Sequence, residues 1–191
     1  MDEFGKPRGE RSGGPNAADR SRSCPDCPHD ASAIPWLDLP SALADVARHW
    51  RDFFAAVLVY PGGMDVLCAR PAPGVWSAVE YGCHVRDVLA LTARRIEVTM
   101  LAAQPILEPW DPDVAALEGH YGAQDPQAVA DDLIDAAHEL GGVLQPIAAL
   151  ARDRTATLGS SMLSVDDLAR TAVHEALHHL ADARAVVPAP C

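Results

Sequence analysis

The stretch RTAVHEALHHLADAR, residues 170–184, decides how this chain folds. Ala, Leu and Arg are strong helix formers, and neither Gly nor Pro interrupts the run, so it predicts an α-helix. Ser164, with Asp167 three residues on, has the pattern of a helix cap, and Pro188 and Pro190 stop the segment near Val187. On that helix His174 and His178 are four residues apart and share one face, one turn apart. Such a pair can reach one ion at about 2.0–2.1 Å. His179 points about 100° away from His178, towards solvent or a helix seam.

Three more long helices are expected upstream. Residues 38–58 (DLPSALADVARHWRDFFAAVL) place Leu39, Leu43, Val46, Trp50, Phe53 and Leu58 at helical spacing. A loop through PGG (61–63) and RPAPG (70–74) follows, long enough to cross a bundle. Ser77 and Glu80 have capping-box form and open a helix over about 77–102. Pro105, Pro109 and Pro112 break it, and a loop or short helix runs on to Tyr121. A third helix is expected over 126–150, with Gly141, Gly142 and Pro146 placed to kink it. The polar stretch RDRTATLGSS (152–161) links it to the last helix. Four amphipathic helices predict an all-α, antiparallel four-helix bundle over residues 38–187.

The chain has 191 residues, 49% hydrophobic and only 5% aromatic, so its core is built mainly from Ala, Leu and Val. The net charge of −12 repels phosphate backbones and argues against nucleic acid as a partner. No run of 18 apolar residues is present, so nothing is expected to span a membrane. The N-terminus lacks an apolar signal core, and a cytoplasmic protein is expected. Residues 1–23, rich in Gly, Pro, Ser and charge, form an expected disordered tail. Residues 24–37 follow as a knuckle opening on CPDCPHD, whose Pro25 and Pro28 force turns. Cys24 and Cys27, with His29 as a third candidate, make only half a zinc site. Cys83 reads as a small core residue.

WSAVEYGCHVRDVL (76–89), followed some 80 residues later by RTAVHEALHHLADAR, resembles the DinB-like superfamily. That group includes bacterial thiol transferases and mycothiol-dependent maleylpyruvate isomerases. The CPDC start also resembles an actinobacterial branch opening on a CxECGFD-type motif, with Pro28-His29 in place of Gly-Phe. The resemblance implies a bundle holding one divalent ion: zinc, with nickel or iron as alternatives. It implies one His from the second helix and two ligands from an H-x3-H or E-x3-H pair in the fourth. His84, His174 and His178 are the expected metal ligands. HEALH (174–178) is also literally the HExxH pattern of zinc proteases, but no third ligand follows before the helix ends.

Three imidazoles around a divalent ion leave open positions, which suits catalysis. The ion can activate a thiol or polarise a carbonyl. The expected function is transfer of a low-molecular-weight thiol such as mycothiol to a small electrophile. That reaction suits detoxification or natural-product assembly. An isomerase, hydrolase or cyclase on the same site, or a non-catalytic stress-linked binding protein, are the alternatives. Arginines lining the site would suit the enzymes, and Trp or Leu filling it would suit the binding protein. Glu80, Asp87, Glu175 and Asp182 are candidates to orient the rings. Arg86, Arg94 and Arg95 are candidates to meet a substrate carboxylate. A homodimer is left open, and no residue is assigned a catalytic role.

Overall fold

A computed structural model describes Cys24 and residues 28–188. The tail expected over 1–23, together with Cys27 and Cys191, lies outside the described residues. Four long helices carry the fold: α1 (Leu39–Leu58), α3 (Ala78–Leu101), α5 (Pro126–Leu144) and α6 (Val165–Val186). Between them lie the short helices α2 (Gly63–Cys68) and α4 (Pro112–Glu118), and the strands β1 (Ile106–Leu107), β2 (Thr155–Leu158) and β3 (Ser161–Ser164). The four-helix bundle expected from periodicity is present, and α2 occupies part of the expected first loop.

α1 packs on α5 and α6, and α3 packs on the same two helices. α1 and α3 are therefore diagonal, and the segment joining them crosses the bundle. α1 buries Leu39, Leu43, Val46, Trp50 and Phe54 at helical spacing; the fully buried ring is Phe54, with Phe53 at the edge of the core. Burying each such large side chain contributes roughly 1.5–3 kcal/mol. A Cβ at Gly82 of α3 would lie 2.8 Å from Cζ of Phe54, so a side chain there would force the ring to shift. The Trp50 indole Nε1 donates to the Ala176 carbonyl at 3.2 Å, which fixes the face that α6 turns to the core.

Two sequence expectations change. The third helix ends at Leu144, two residues before Pro146, and does not continue as a kinked helix to 150. Gln145 keeps helical dihedrals, but Pro146 has no N–H to donate to the carbonyl four residues back, so the helix is not continued. The stretch read as a polar link pairs instead: β2 and β3 form an antiparallel hairpin, Leu158 opposite Ser161, and β1 joins β2 in parallel. The two-residue connection begins at Gly159, whose φ of +59° suits a tight hairpin turn.

Candidate metal centre

Both helices that carry the expected ligands start on reciprocal caps. Glu80 Oε2 accepts from the Ser77 N–H at 2.8 Å while the Glu80 N–H donates to Ser77 Oγ. Ser164 and Asp167 make the same exchange at the start of α6, both bonds at 3.0 Å. Each cap is worth about 1 kcal/mol and fixes the first turn of its helix. His84 thus sits two turns into α3 in a defined direction, and it is buried.

The three histidines expected to share one ion fall into two groups. Among the described residues, His84 lies with Glu175 and His179, their ligand atoms all within 4.8 Å of one another. His174 and His178 lie with Cys24 under the same criterion, and His178 also with His179 and Asp182. Among the described residues no group under this criterion unites His84 with His174 or His178. The reason is the rotation of α6. Ala176 is fully buried and faces Trp50. At about 100° per residue, His174 and His178 are each about 200° from Ala176, on the far side. Glu175 is about 100° away and His179 about 60°, at the edge of the core face where α3 passes. His179 therefore occupies the seam, which was one of its two expected settings, and there it meets His84.

The geometry around this seam is close. His84 Nε2 is 3.5 Å from Glu175 Oε2, and His179 Nε2 is 3.1 Å from the same oxygen. The His84 and His179 rings stand edge-to-face with centroids 4.8 Å apart. His179 Nδ1 is 2.9 Å from Asp182 Oδ2. Asp182 is one of the four carboxylates expected to orient a ring, and it does so here. Glu175 is instead a candidate ligand. Glu80 is committed to the cap and to Arg70, and Asp87 to Arg86 and Tyr121. The remaining ring nitrogen of His84, Nδ1, is buried without a hydrogen-bond partner.

Burial opposes charge on His179, but hydrogen bonds to Asp182 and Glu175 hold its pKa up at about 9. Burial likewise opposes charge on Glu175, yet hydrogen bonds from His179 and His84 pull it far below the usual carboxylate range. Burial pushes Asp182 up, and its hydrogen bond to His179 together with the neighbouring charges of His178 and His179 brings it below the usual value. Positive charge is thus favoured between these two carboxylates. Two imidazoles and one carboxylate form a donor set suited to a zinc-type divalent ion.

The walls are aromatic. Trp110 stacks on His84 with centroids 5.4 Å apart, and Trp76 lies tilted against it at 5.2 Å. Tyr81 stacks on His179 at 5.4 Å. The arginines expected near the site have other partners: Arg86 bonds Asp87 and Gln124, Arg95 bonds the Glu108 carbonyl, and Arg94 is exposed. A wide cleft lined by Met100, Leu101, Val143 and Ile147 lies at the other end of α3. Cys83 is a buried core thiol, pushed up to about 12 by burial.

Nothing in the sequence reading singled out Trp110, or Glu175 and His179 as ligands. The signals were present nonetheless. Glu175 and His179 form the E-x3-H pair that the resemblance allows, and the apolar stripe of α6 places them beside the core.

No described helix is long and apolar enough to cross a membrane. No curated protein is significantly similar to the chain. YfiT from Bacillus subtilis, described as a probable metal-dependent hydrolase with an unusual four-helix bundle topology, has a similar fold. The TM-score is 0.70 at 14% identity, over 86% of this chain and 91% of that one. The family profile of the DinB superfamily matches residues 45–183, which is most of the bundle, and the chain therefore belongs to the DinB superfamily.

Proposed function

We propose that the chain is a divalent-metal-dependent enzyme whose ion, zinc in the first instance, is held by His84, Glu175 and His179. One observation carries this reading: three ligand atoms of suitable chemistry from two capped helices lie within 4.8 Å of one another. Membership of the DinB superfamily and the likeness to YfiT support it. When bound, such an ion supplies positive charge that lowers the pKa of a thiol or water in contact with it. Asp182, 2.9 Å from His179 Nδ1, would hold that ring with Nε2 left as its donor for an ion. Trp76 and Trp110 fix the His84 ring and exclude water from one side of it.

The reaction proposed is transfer of a low-molecular-weight thiol such as mycothiol to a small electrophile. Aromatic walls suit an apolar or planar electrophile better than an anionic one. A second reading, hydrolysis, is favoured by the donor set itself, because two His and one Glu hold zinc in known hydrolytic sites. The aromatic packing on His84 also suits a binding protein without turnover. Incubating the metal-loaded protein with mycothiol and a panel of electrophiles, read by mass spectrometry, separates these. Thiol conjugates are expected, and they should disappear with a chelator or in His84→Ala. Cleaved substrate in thiol-free buffer would give the hydrolase reading. No turnover under either condition would leave the protein a metal binder.

A further inference from the structure

His174 and His178 are left unexplained by the centre above, because they face the far side of α6. What they face is the N-terminal segment. Arg170, on the same side of the helix, donates from Nη1 to the carbonyls of Ala31 at 2.7 Å and Ile34 at 2.9 Å. Asp166 holds the same guanidinium at 2.7 Å. Ala31 and Trp36 of that segment are buried. Residues 31–34 are thus anchored on α6, and Cys24 Sγ comes to 3.7 Å from His178 Nδ1.

The ligand atoms of Cys24, His174 and His178 all lie within 4.8 Å of one another. The rings are positioned as metal-ligating histidines are, each held through an outer partner. His178 Nε2 is 3.3 Å from Asp182 Oδ2, leaving Nδ1 towards the thiol. The His174 ring hydrogen-bonds the backbone of His29. His174 is also buried. One sulfur and two imidazole nitrogens form a soft set that suits zinc or cobalt and disfavours magnesium or calcium.

We propose that Cys24, His174 and His178 form a second metal centre, for a zinc-type ion, which clasps the N-terminal segment to α6. On binding, the Cys24 thiol gives its proton to solvent and its sulfur bonds the ion; no electron changes hands. Asp182 touches both His178 and His179, so one carboxylate orients a ligand in each centre. Only this last point rests on the function proposed above.

Cobalt distinguishes the two centres, because the first contains no sulfur. Titrating the full-length, metal-free chain with Co(II) in anaerobic, thiol-free buffer should give two bound equivalents and a sulfur-to-cobalt band in the near ultraviolet. Cys24→Ser should lose the band and one equivalent, while keeping the helical circular dichroism of the parent. His174→Ala and His178→Ala should each weaken the band-forming site at least tenfold. His84→Ala should keep the band and lose the other equivalent. If His84→Ala binds as the parent does, the first centre fails and the second stands. Absence of the band in the parent, or an unchanged band in Cys24→Ser, overturns the second centre. Zinc should also slow alkylation of Cys24 by iodoacetamide at least tenfold, and equal rates with and without zinc would overturn it too.

Discussion

Two sides of α6 carry histidines one to five residues apart in sequence, yet they meet different parts of the molecule. Glu175 and His179 border the core face and meet α3, a helix fixed by its own cap and by a packed interface. His174 and His178 meet a short segment held by Arg170 and two buried apolar side chains. The first side is set by bundle packing, so its geometry follows from the fold. The second is set by a few hydrogen bonds between a helix and an irregular segment. A histidine pair at helical spacing therefore does not say which partner it faces; the apolar stripe of the helix does.

The largest expected effect separates the sides outright. His84→Ala should lower the affinity of the first centre by more than about 100-fold, since second-shell changes alone cost 10–100-fold. Competition with a chromophoric chelator measures this, and a loss under tenfold would count against His84 as a ligand. Asp182→Asn comes next, because it touches both sides: affinity at the first centre should fall about 10–100-fold. Unchanged affinity there would mean that Asp182 orients nothing.

Arg170→Ala acts on the second side alone. It should lower stability by about 1–2 kcal/mol, a few degrees in melting temperature, and leave the first centre intact. Loss of the first centre in this variant would show that the two sides are not independent. The smallest effect concerns the cap that aims His84. Burial raises the Glu80 carboxyl, but hydrogen bonds from Arg70 and Ser77 outweigh it and hold the folded pKa below 4.5. A depressed folded pKa contributes stability that is present above the unfolded value and lost as pH falls through the folded one. Denaturant titrations should therefore show stability declining below about pH 4.5. Glu80→Gln should lack that component, and an identical profile for parent and variant would contradict the assignment.

Much of the fold was legible because periodicity and caps are local. Ser77 with Glu80 and Ser164 with Asp167 mark the starts of α3 and α6, and the α1 apolar positions mark its buried face. The small sheet was not legible: TATLGSSMLS is short, and β1 reaches it from some fifty residues away. Of the candidate site, His84 was placed by resemblance, and Asp182 was among four carboxylates named. The groups the structure brings to His84 are Glu175 and His179, one residue around α6 from the expected His174 and His178. Spacing of four is satisfied by both pairs. Only the position of Ala176 in the core separates them, and the contact with Trp50 that fixes it joins residues 126 apart in sequence.

That one-residue displacement is the centre of the account, and one comparison tests it. In a Cys24→Ser background, where only the first centre is expected to bind, the zinc affinities of His179→Ala and His178→Ala are measured side by side by chelator competition. The account predicts that His179→Ala loses more than about 100-fold and that His178→Ala stays within a few-fold of its parent. The reverse order, with His178 essential and His179 dispensable, would contradict it and return the ion to His84, His174 and His178.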